Sequence, residues 1–109
     1  MSSVSITNPA NNSTVTLTGH SLPSASAVMS GNDYSSIEEA KAKVYLSTDT
    51  PPTTPPSGAV SASFINDPDV SFGSLPCPGS DSSATYKIAI WVMTDVDSMM
   101  AVNTFTGNT

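Results

Sequence analysis

The sequence predicts an all-β fold, a sandwich of about seven short antiparallel strands in a single domain that spans residues 1–109. Three observations support this prediction. Polar and apolar residues alternate with a period of two in most segments, as in strands with one buried face. Turn-forming Asn, Asp, Gly, Ser and Pro separate these segments. No segment has the length and apolar periodicity of a long helix, and a chain of 109 residues is large enough for one hydrophobic core.

The first two predicted strands carry the clearest alternation. The segment "SVSIT" places Val4 and Ile6 on one face, and "TVTLTG" places Val15 and Leu17 on one face. The residues between them, "NPANNS", are typical of a turn. The pattern is weak from residue 20 to residue 36, where it predicts only a short strand near 27–29.

The middle of the chain gives mixed signals. Ser36 and Glu39 have the spacing of a helix capping box, which predicts at most one helical turn. From about Ala42 the alternation of "KAKVYLS" predicts a strand. Residues 48–58 follow, and their closely spaced prolines exclude a helix or a central strand. We expect an extended, partly polyproline-II loop, either as a stiff connection or as a ligand for a proline-binding partner.

Three further strands are predicted in the second half, before a final one. The segment "AVSASFI" predicts one strand with Val60, Ala62 and Phe64 on the same face, and "VSFGSL" predicts the next. The segment "ATYKIAIWVM" is apolar on both faces, as expected of a central strand that is partly covered on its outer side. We expect "DVDSMM" to form a turn and "AVNTFTG" to form the last strand.

Two stretches resemble bacterial and phage immunoglobulin-like domains, a group that includes fibronectin type III-like folds. "SVSITNPANNSTVTLTG" is similar to their opening strands, and "GSLPCPGSDSSATYKIAIWVMTD" is similar to their later half. The resemblance implies an immunoglobulin-like Greek-key sandwich, with Tyr86 as the corner tyrosine that bonds back to the preceding loop. It also implies a non-catalytic module for adhesion, spacing or display. The chain lacks the cysteine pair of antibody domains, so the resemblance is to members without a disulfide.

The charge balance disfavours two classes of partner. The chain has a net charge of −6, three lysines and no arginine. Nucleic-acid binding needs basic residues to displace counterions, and anionic membrane surfaces attract basic segments. We therefore expect neither partner. No secretory signal is visible after Met1, which favours synthesis in the cytosol if Met1 is the natural start, whereas an excised domain of a secreted protein stays an alternative.

We expect no catalytic residues, no enzyme activity and no cofactor. His20 is the sole histidine, and Cys77, the sole cysteine, lies between two prolines and can form no internal disulfide. A nucleophilic cysteine needs a nearby base, and a small loop residue is the simpler role for Cys77. The aspartates lie in turns, where water surrounds them: Asp33, Asp49, Asp67, Asp69, Asp81, Asp95 and Asp97.

Two turns are candidates for a structural calcium site. "NDPD" supplies Asp67 and Asp69, and "DVD" supplies Asp95 and Asp97. Calcium binds six to eight oxygen ligands, and paired aspartates in a loop are a common part of such sites. Aspartate is equally an ordinary turn residue. The sequence leaves open whether the two turns lie at the same end of the sandwich, and it contains no cluster typical of zinc.

Aromatic and methionine side chains are the candidates for partner binding. Trp91 and Tyr45 would contact a protein or stack on a sugar ring if their rings are exposed, whereas Trp91 would have a packing role if a loop covers it. Met93, Met99 and Met100 surround the last predicted hairpin, and methionine suits adaptable contacts.

We expect a structural or interaction module on a larger assembly. The first hypothesis is a bacteriophage virion surface protein, in capsid decoration or in a tail, that is made in the host cytosol and binds capsid or tail proteins. The alternative is an adhesin or carbohydrate-binding domain of a secreted or cell-surface bacterial protein, with glycans as partners. Fold alone fixes neither function.

Overall fold

The computed structural model describes residues 2–79 and 82–109. The expectation that depends on Met1 and the one that places Asp81 in a turn lie outside the described residues. The described chain is all-β: it forms eleven strands and no helix. It therefore includes no helix long and apolar enough to cross a membrane.

The strands vary from two to twelve residues in length. In chain order they are β1 (Ser3–Asn8), β2 (Ser13–Thr16), β3 (Ser21–Leu22), β4 (Ala25–Ser30), β5 (Ile37–Leu46), β6 (Val60–Ser61), β7 (Phe64–Asn66), β8 (Asp69–Phe72), β9 (Leu75–Pro76), β10 (Ser83–Thr94) and β11 (Ser98–Asn108).

Two large sheets form the body of the molecule. One has four strands in the order β1-β4-β8-β7, and the other has five in the order β2-β11-β10-β5-β6. A small ladder joins β3 to β9. Neighbouring strands are antiparallel except for β2, which runs parallel to β11. The predicted β-sandwich-like, all-β fold is therefore confirmed. The described chain forms eleven strands rather than about seven, and it contains one parallel pair in addition to the antiparallel ones.

The inner faces of the two sheets form one hydrophobic core. Tyr86 and Phe105 lie at neighbouring positions of β10 and β11, are fully buried and place their ring centroids 5.5 Å apart. Four alternate residues of β10 belong to this core, because alternate side chains of a strand point to the same face: Tyr86, Ile88, Ile90 and Val92. The larger buried side chains in the core include Val4, Leu17, Leu22, Met29, Val44, Val70, Phe72, Leu75, Tyr86, Ile88, Ile90, Val92 and Phe105.

The helical turn predicted at Ser36 is wrong. β5 begins at Ile37 and pairs with β10 along its length, with Glu39 opposite Met93. Ala40 and Ala42 are buried on the inner face of this strand. Pairing with a long central strand and burial of alternate residues outweigh the weak helical preference of this segment.

The prediction of one strand over "AVSASFI" is also wrong. β6 pairs with β5 in the five-stranded sheet, and β7 pairs with β8 in the four-stranded sheet. The chain thus passes from one sheet to the other at residues 62–63. Val60 and Ala62 pack against the core, whereas Phe64 is 61% exposed.

The last hairpin is longer than the sequence predicts. Only residues 95–97 form the turn, and Ser98, Met99 and Met100 belong to β11. The backbone N–H of Thr94 donates to the carbonyl of Asp97 at 2.8 Å. The Thr94 hydroxyl also accepts hydrogen bonds from the N–H groups of Val96 and Asp97, which keeps the turn short.

Candidate interaction surface on the last hairpin

Three turns meet at one end of the sandwich, here called the loop end: residues 31–36, 67–68 and 95–97. Asp95 contacts the first of these turns, because its Oδ1 accepts hydrogen bonds from the backbone N–H groups of Ser35 (2.8 Å) and Ser36 (3.2 Å). These bonds favour the charged form and lower the pKa of the Asp95 carboxyl below its ordinary value of 3.8. Asp95 therefore links the last hairpin to the turn that precedes β5.

The same turn contains another aspartate, Asp33, and contacts a third, Asp67. The hydroxyl of Tyr34 donates a hydrogen bond to Oδ1 of Asp67 at 2.7 Å, and this bond is the main reason why the pKa of Tyr34 rises to about 12. The hydroxyl of Ser2 donates to Oδ1 of Asp33, which lowers the pKa of that carboxyl. Asp67 and Asp95 thus connect neighbouring turns, and Asp33 connects its turn to Ser2, just before β1.

These contacts answer the question of where the two candidate calcium turns lie. Asp67 and Asp95 both contact residues 34–36, so their turns are at the same end of the sandwich. Asp97 accepts a hydrogen bond from the N–H of Ser98 at 2.8 Å, and Asp69 is exposed at the start of β8. Among the described residues, no group of three or more His, Cys, Asp or Glu side chains is arranged to hold a metal ion.

Trp91 is covered by the Pro-rich loop, residues 48–58, which contains no strand or helix. Its side chain lies on the outer face of the five-stranded sheet, outside the main core, yet it is only 1% exposed. Its indole Nε1–H donates a hydrogen bond to the carbonyl oxygen of Pro52 at 3.0 Å. The packing alternative for Trp91 therefore describes this structure, and its ring offers no exposed surface to a sugar or a protein.

Lysines surround this covered region on the same outer face. The ammonium group of Lys87 donates a hydrogen bond to the carbonyl oxygen of Asp49 in the Pro-rich loop at 3.1 Å. Lys43 lies over the ring of Tyr45, with Nζ 5.4 Å from the ring centroid. The hydroxyl of Tyr45 is buried with no hydrogen-bond partner in the described chain, and burial raises its pKa. The Tyr45 side chain as a whole is half-buried, so only part of its ring is exposed.

The three methionines divide between the two faces of the hairpin. Met99 faces inward and packs against the core. Met100 pairs with Trp91 and Met93 pairs with Ser98, so Met93 and Met100 are diagonal neighbours on the outer face. Val102, two residues beyond Met100, is 41% exposed on that face. Met93, Met100 and Val102 form what we call the hairpin patch.

The hairpin patch lies beside a strand edge that is closed only in part. β2 pairs with β11 from Phe105 to Asn108. Just before this ladder, the N–H of Thr104 donates to Oδ1 of Asn11 at 2.8 Å, and its carbonyl accepts a hydrogen bond from the N–H of Asn12 at 2.6 Å. In the described chain no strand pairs through backbone hydrogen bonds with Ser98–Val102, although β1 of the other sheet contacts β11. This segment of β11 is an open edge.

A second exposed apolar site lies on the opposite side of the sandwich. Phe64 and Ile65 belong to β7, the edge strand of the four-stranded sheet, and are 61% and 39% exposed. Because successive residues of a strand face opposite sides, these two side chains do not form one patch. The strand is also only three residues long. The last hairpin, in contrast, groups three apolar side chains on one face: Met93 and Met100, which are half-buried, and Val102, which is exposed.

The structure brings His20 and Cys77 close in the chain fold, although they are distant in sequence. The N–H of Cys77 donates to the carbonyl oxygen of His20 at 3.2 Å. Nε2 of His20 lies 3.4 Å from the carbonyl oxygen of Pro78. The thiol of Cys77 is buried, and burial raises its pKa, which disfavours the thiolate that a nucleophile requires. The described part of the chain contains no pocket.

Sequence reasoning missed Val96 and Val102. Val96 is 62% exposed at the tip of the hairpin, and Val102 belongs to the patch. Both are apolar residues next to aspartate or asparagine, which is the pattern of a turn or of an ordinary strand. An available signal was the run "SMMAV", which has apolar residues at consecutive positions and is therefore apolar on both faces of a strand.

Comparison with known proteins gives a fold likeness. No protein-family model and no curated protein matches the chain. An engineered protein of known crystal structure is similar, with a TM-score of 0.66 and 15% sequence identity. The match covers 100% of this chain and 20% of that protein, so the chain spans about a fifth of its length. At this identity the likeness shows the fold alone.

Proposed function

We propose that this chain is a non-catalytic interaction module that docks onto a larger protein assembly through the hairpin patch. The observation that carries the proposal is the position of Met93, Met100 and Val102 on one face, beside the open edge of β11. Methionine side chains adapt to a partner's surface, and apolar side chains grouped on an exposed face are typical of interaction sites.

We also propose that the sandwich has the immunoglobulin-like Greek-key arrangement. The order β1-β4-β8-β7 has the form of the A-B-E-D sheet of such domains. The order β11-β10-β5-β6 has the form of their G-F-C sheet with an additional edge strand. The strand orders support this assignment together with the resemblance of the first two strands.

The assembly that we propose is a bacteriophage virion, in which the module decorates the capsid or belongs to the tail. The support comes from the resemblance to phage immunoglobulin-like domains and from a surface rich in hydroxyl and acidic side chains, which suits display in water. The alternative is an adhesin or carbohydrate-binding domain. The cover over Trp91 leaves that alternative without an exposed aromatic ring for a sugar.

Incorporation into bacteriophage particles tests the proposal. Purified particles should contain the protein, as detected by mass spectrometry. Val102→Asp should reduce the amount of incorporated protein at least tenfold, because it places a charge in the hairpin patch. Phe64→Asp is the matched control, since it places the same charge on an exposed apolar site of the opposite edge, and it should leave incorporation unchanged.

Three results would contradict the proposal. The first is absence of the protein from particles. The second is equal incorporation of the wild type and Val102→Asp. The third is measurable turnover of an ester, peptide or glycoside substrate that is lost on changing His20. Binding to a glycan array that Trp91→Ala abolishes and Trp91→Phe retains would favour the carbohydrate-binding alternative instead.

A further inference from the structure

We infer that the partner adds an extended strand to the open edge of β11 at Ser98–Val102. The added strand carries apolar residues at alternate positions and a basic residue at the end that lies beside the 95–97 turn. This inference rests on the proposed docking function and specifies the kind of partner. It follows from three features of the hairpin: its backbone hydrogen bonds, its side chains and its charges.

The backbone hydrogen bonds of the hairpin determine which groups point outward. Thr94 and Asp97 form the hydrogen-bonded pair that closes the turn. In an antiparallel ladder, hydrogen-bonded and non-hydrogen-bonded pairs alternate. Met99 and Ala101 therefore bond to β10, whereas Met100 and Val102 direct both N–H and C=O away from it. Thr104 continues the alternation, because its outward groups bond to Asn11 and Asn12.

The outward groups are closed at both ends of this segment and open between them. At the turn end, the N–H of Ser98 donates to the carboxylate of Asp97. At the other end, the outward N–H and C=O of Thr104 form hydrogen bonds with Asn11 and Asn12. No hydrogen bond joins the outward groups of Met100 and Val102 to any part of the chain that the structure describes. The open segment is roughly 16 Å long at about 3.3 Å per residue, which suits a short strand.

The side chains beside this edge favour an apolar partner. Met100 and Val102 project to the outer face, where Met93 adjoins them. A strand added in line with the sheet would place every second side chain against this hairpin patch. Main-chain bonds would supply affinity and the patch would supply specificity, as in other cases of strand addition.

The charges distinguish the two ends of the edge. Asp95 and Asp97 are exposed beside the turn, whereas the far end is flanked by the uncharged Asn11 and Asn12. A basic residue is therefore expected in the partner at the turn end. A second copy of this chain fits less well, because its own edge brings further aspartates and all its lysines lie on β5 and β10, away from this edge.

Nuclear magnetic resonance on the full chain labelled with ¹⁵N tests the inference. The probes are the seven-residue peptide Lys-Val-Thr-Val-Thr-Val-Thr, its reversed sequence and the same two peptides with Glu in place of Lys. At millimolar concentration, we expect one lysine peptide to shift the amide signals of Met100 and Val102 and to slow their hydrogen exchange at least fivefold. The glutamate peptides should bind at least threefold more weakly. Absence of any change at these two amides with all four peptides would overturn the inference. Protection of the same amides that increases with protein concentration, without peptide, would also overturn it and would identify a second copy as the occupant.

A pair of variants separates strand addition from contact with the face alone. Val102→Pro removes an outward N–H that β10 does not use, and Val102→Ala removes the same apolar side chain while keeping that N–H. Strand addition predicts that Val102→Pro binds the peptide at least tenfold more weakly than Val102→Ala does. If the proline variant does not fold, as judged by its melting curve, Val102→Lys replaces it. This variant should weaken binding of the lysine peptide more than binding of the glutamate peptide.

Particle incorporation distinguishes failure of strand addition from failure of the docking function. Equal peptide binding by Val102→Pro and Val102→Ala, with loss of incorporation in Val102→Asp, would reject strand addition and leave the docking function intact. Unchanged incorporation in Val102→Asp would reject docking through this surface itself.

Discussion

The indole N–H of Trp91 lies 3.0 Å from the carbonyl oxygen of Pro52 and donates a hydrogen bond to it. This bond fastens the Pro-rich loop over the outer face of the central strand β10. Lys87 adds a second attachment through the carbonyl of Asp49. The loop therefore covers part of the outer face of the five-stranded sheet, which explains why β10 is apolar on both faces.

Truncation of Trp91 should destabilise the fold in two distinguishable steps. Trp91→Phe removes the hydrogen bond and part of the ring volume, and should lower the free energy of unfolding by about 1–2 kcal/mol. Trp91→Ala removes the ring as well and should lower it by about 3 kcal/mol or more, because a side chain that is 1% exposed leaves a cavity. Urea denaturation followed by circular dichroism measures both values. Equal stability of Trp91→Ala and the wild type would contradict the packing role.

Gly107 should tolerate no side chain. A Cβ at this position would lie 2.9 Å from Cδ1 of Leu17 and 3.0 Å from Cε2 of Tyr86. Gly107→Ala should therefore lower the free energy of unfolding by about 1–3 kcal/mol through overpacking. Gly73→Ala is the matched control, since a Cβ there meets no atom within 4 Å, and it should be neutral or stabilising by about 0.4–1 kcal/mol. The reverse order of the two variants in thermal melting would refute this interpretation.

Asp95 should make stability depend on pH in the acid range. Its carboxyl has a pKa below the ordinary 3.8, so its contribution is present above pH 3.8 and is lost as the pH falls through the lower folded-state value. We expect Asp95→Asn to melt at a lower temperature than the wild type at pH 7 and the difference to shrink as the pH falls below 3.8. Asp49→Asn removes the same charge from the Pro-rich loop and serves as the control. A difference that stays constant from pH 7 to pH 2 would speak against the proposed bonds to Ser35 and Ser36.

Tyr34 should affect stability at the opposite end of the pH scale. Its folded-state pKa of about 12 exceeds the ordinary 10.0, so its contribution is complete below pH 10 and is lost as the pH rises from 10 towards 12. Tyr34→Phe removes both the hydrogen bond to Asp67 and this part of the pH dependence. Melting temperatures of the wild type and the variant at pH 8, 10 and 11 measure it. Parallel alkaline losses in the two proteins would exclude the role of Tyr34.

Calcium should leave the melting temperature unchanged. The carboxylates of Asp67, Asp95 and Asp97 accept hydrogen bonds from other groups of the protein, and the described acidic side chains form no group suited to a metal. A ligand that binds the folded state and not the unfolded state raises the melting temperature, and tighter binding raises it further. Thermal melting with EDTA and with millimolar calcium therefore decides the question. A higher melting temperature with calcium would instead support a structural calcium site at the candidate turns.

The sequence by itself determined the strand character of this chain and the faces of its clearest strands. The inward positions of Val4 and Val44 and the two apolar faces of β10 follow from a period of two. Local residues also identified the Pro-rich segment as a loop. They failed at Ser36, where a short helical signal competes with pairing to β10.

Only the tertiary structure decided how the strands and turns are placed beside one another. It brought Asp67 and Asp95 to the same turn and placed Pro52 over Trp91. It also left Ser98–Val102 without a hydrogen-bonded strand among the described residues. The physical reason is that a period of two specifies the face to which a side chain points. Neighbouring strands are joined by backbone N–H and C=O groups, which are nearly the same in every residue. The local sequence therefore does not specify which strands pair.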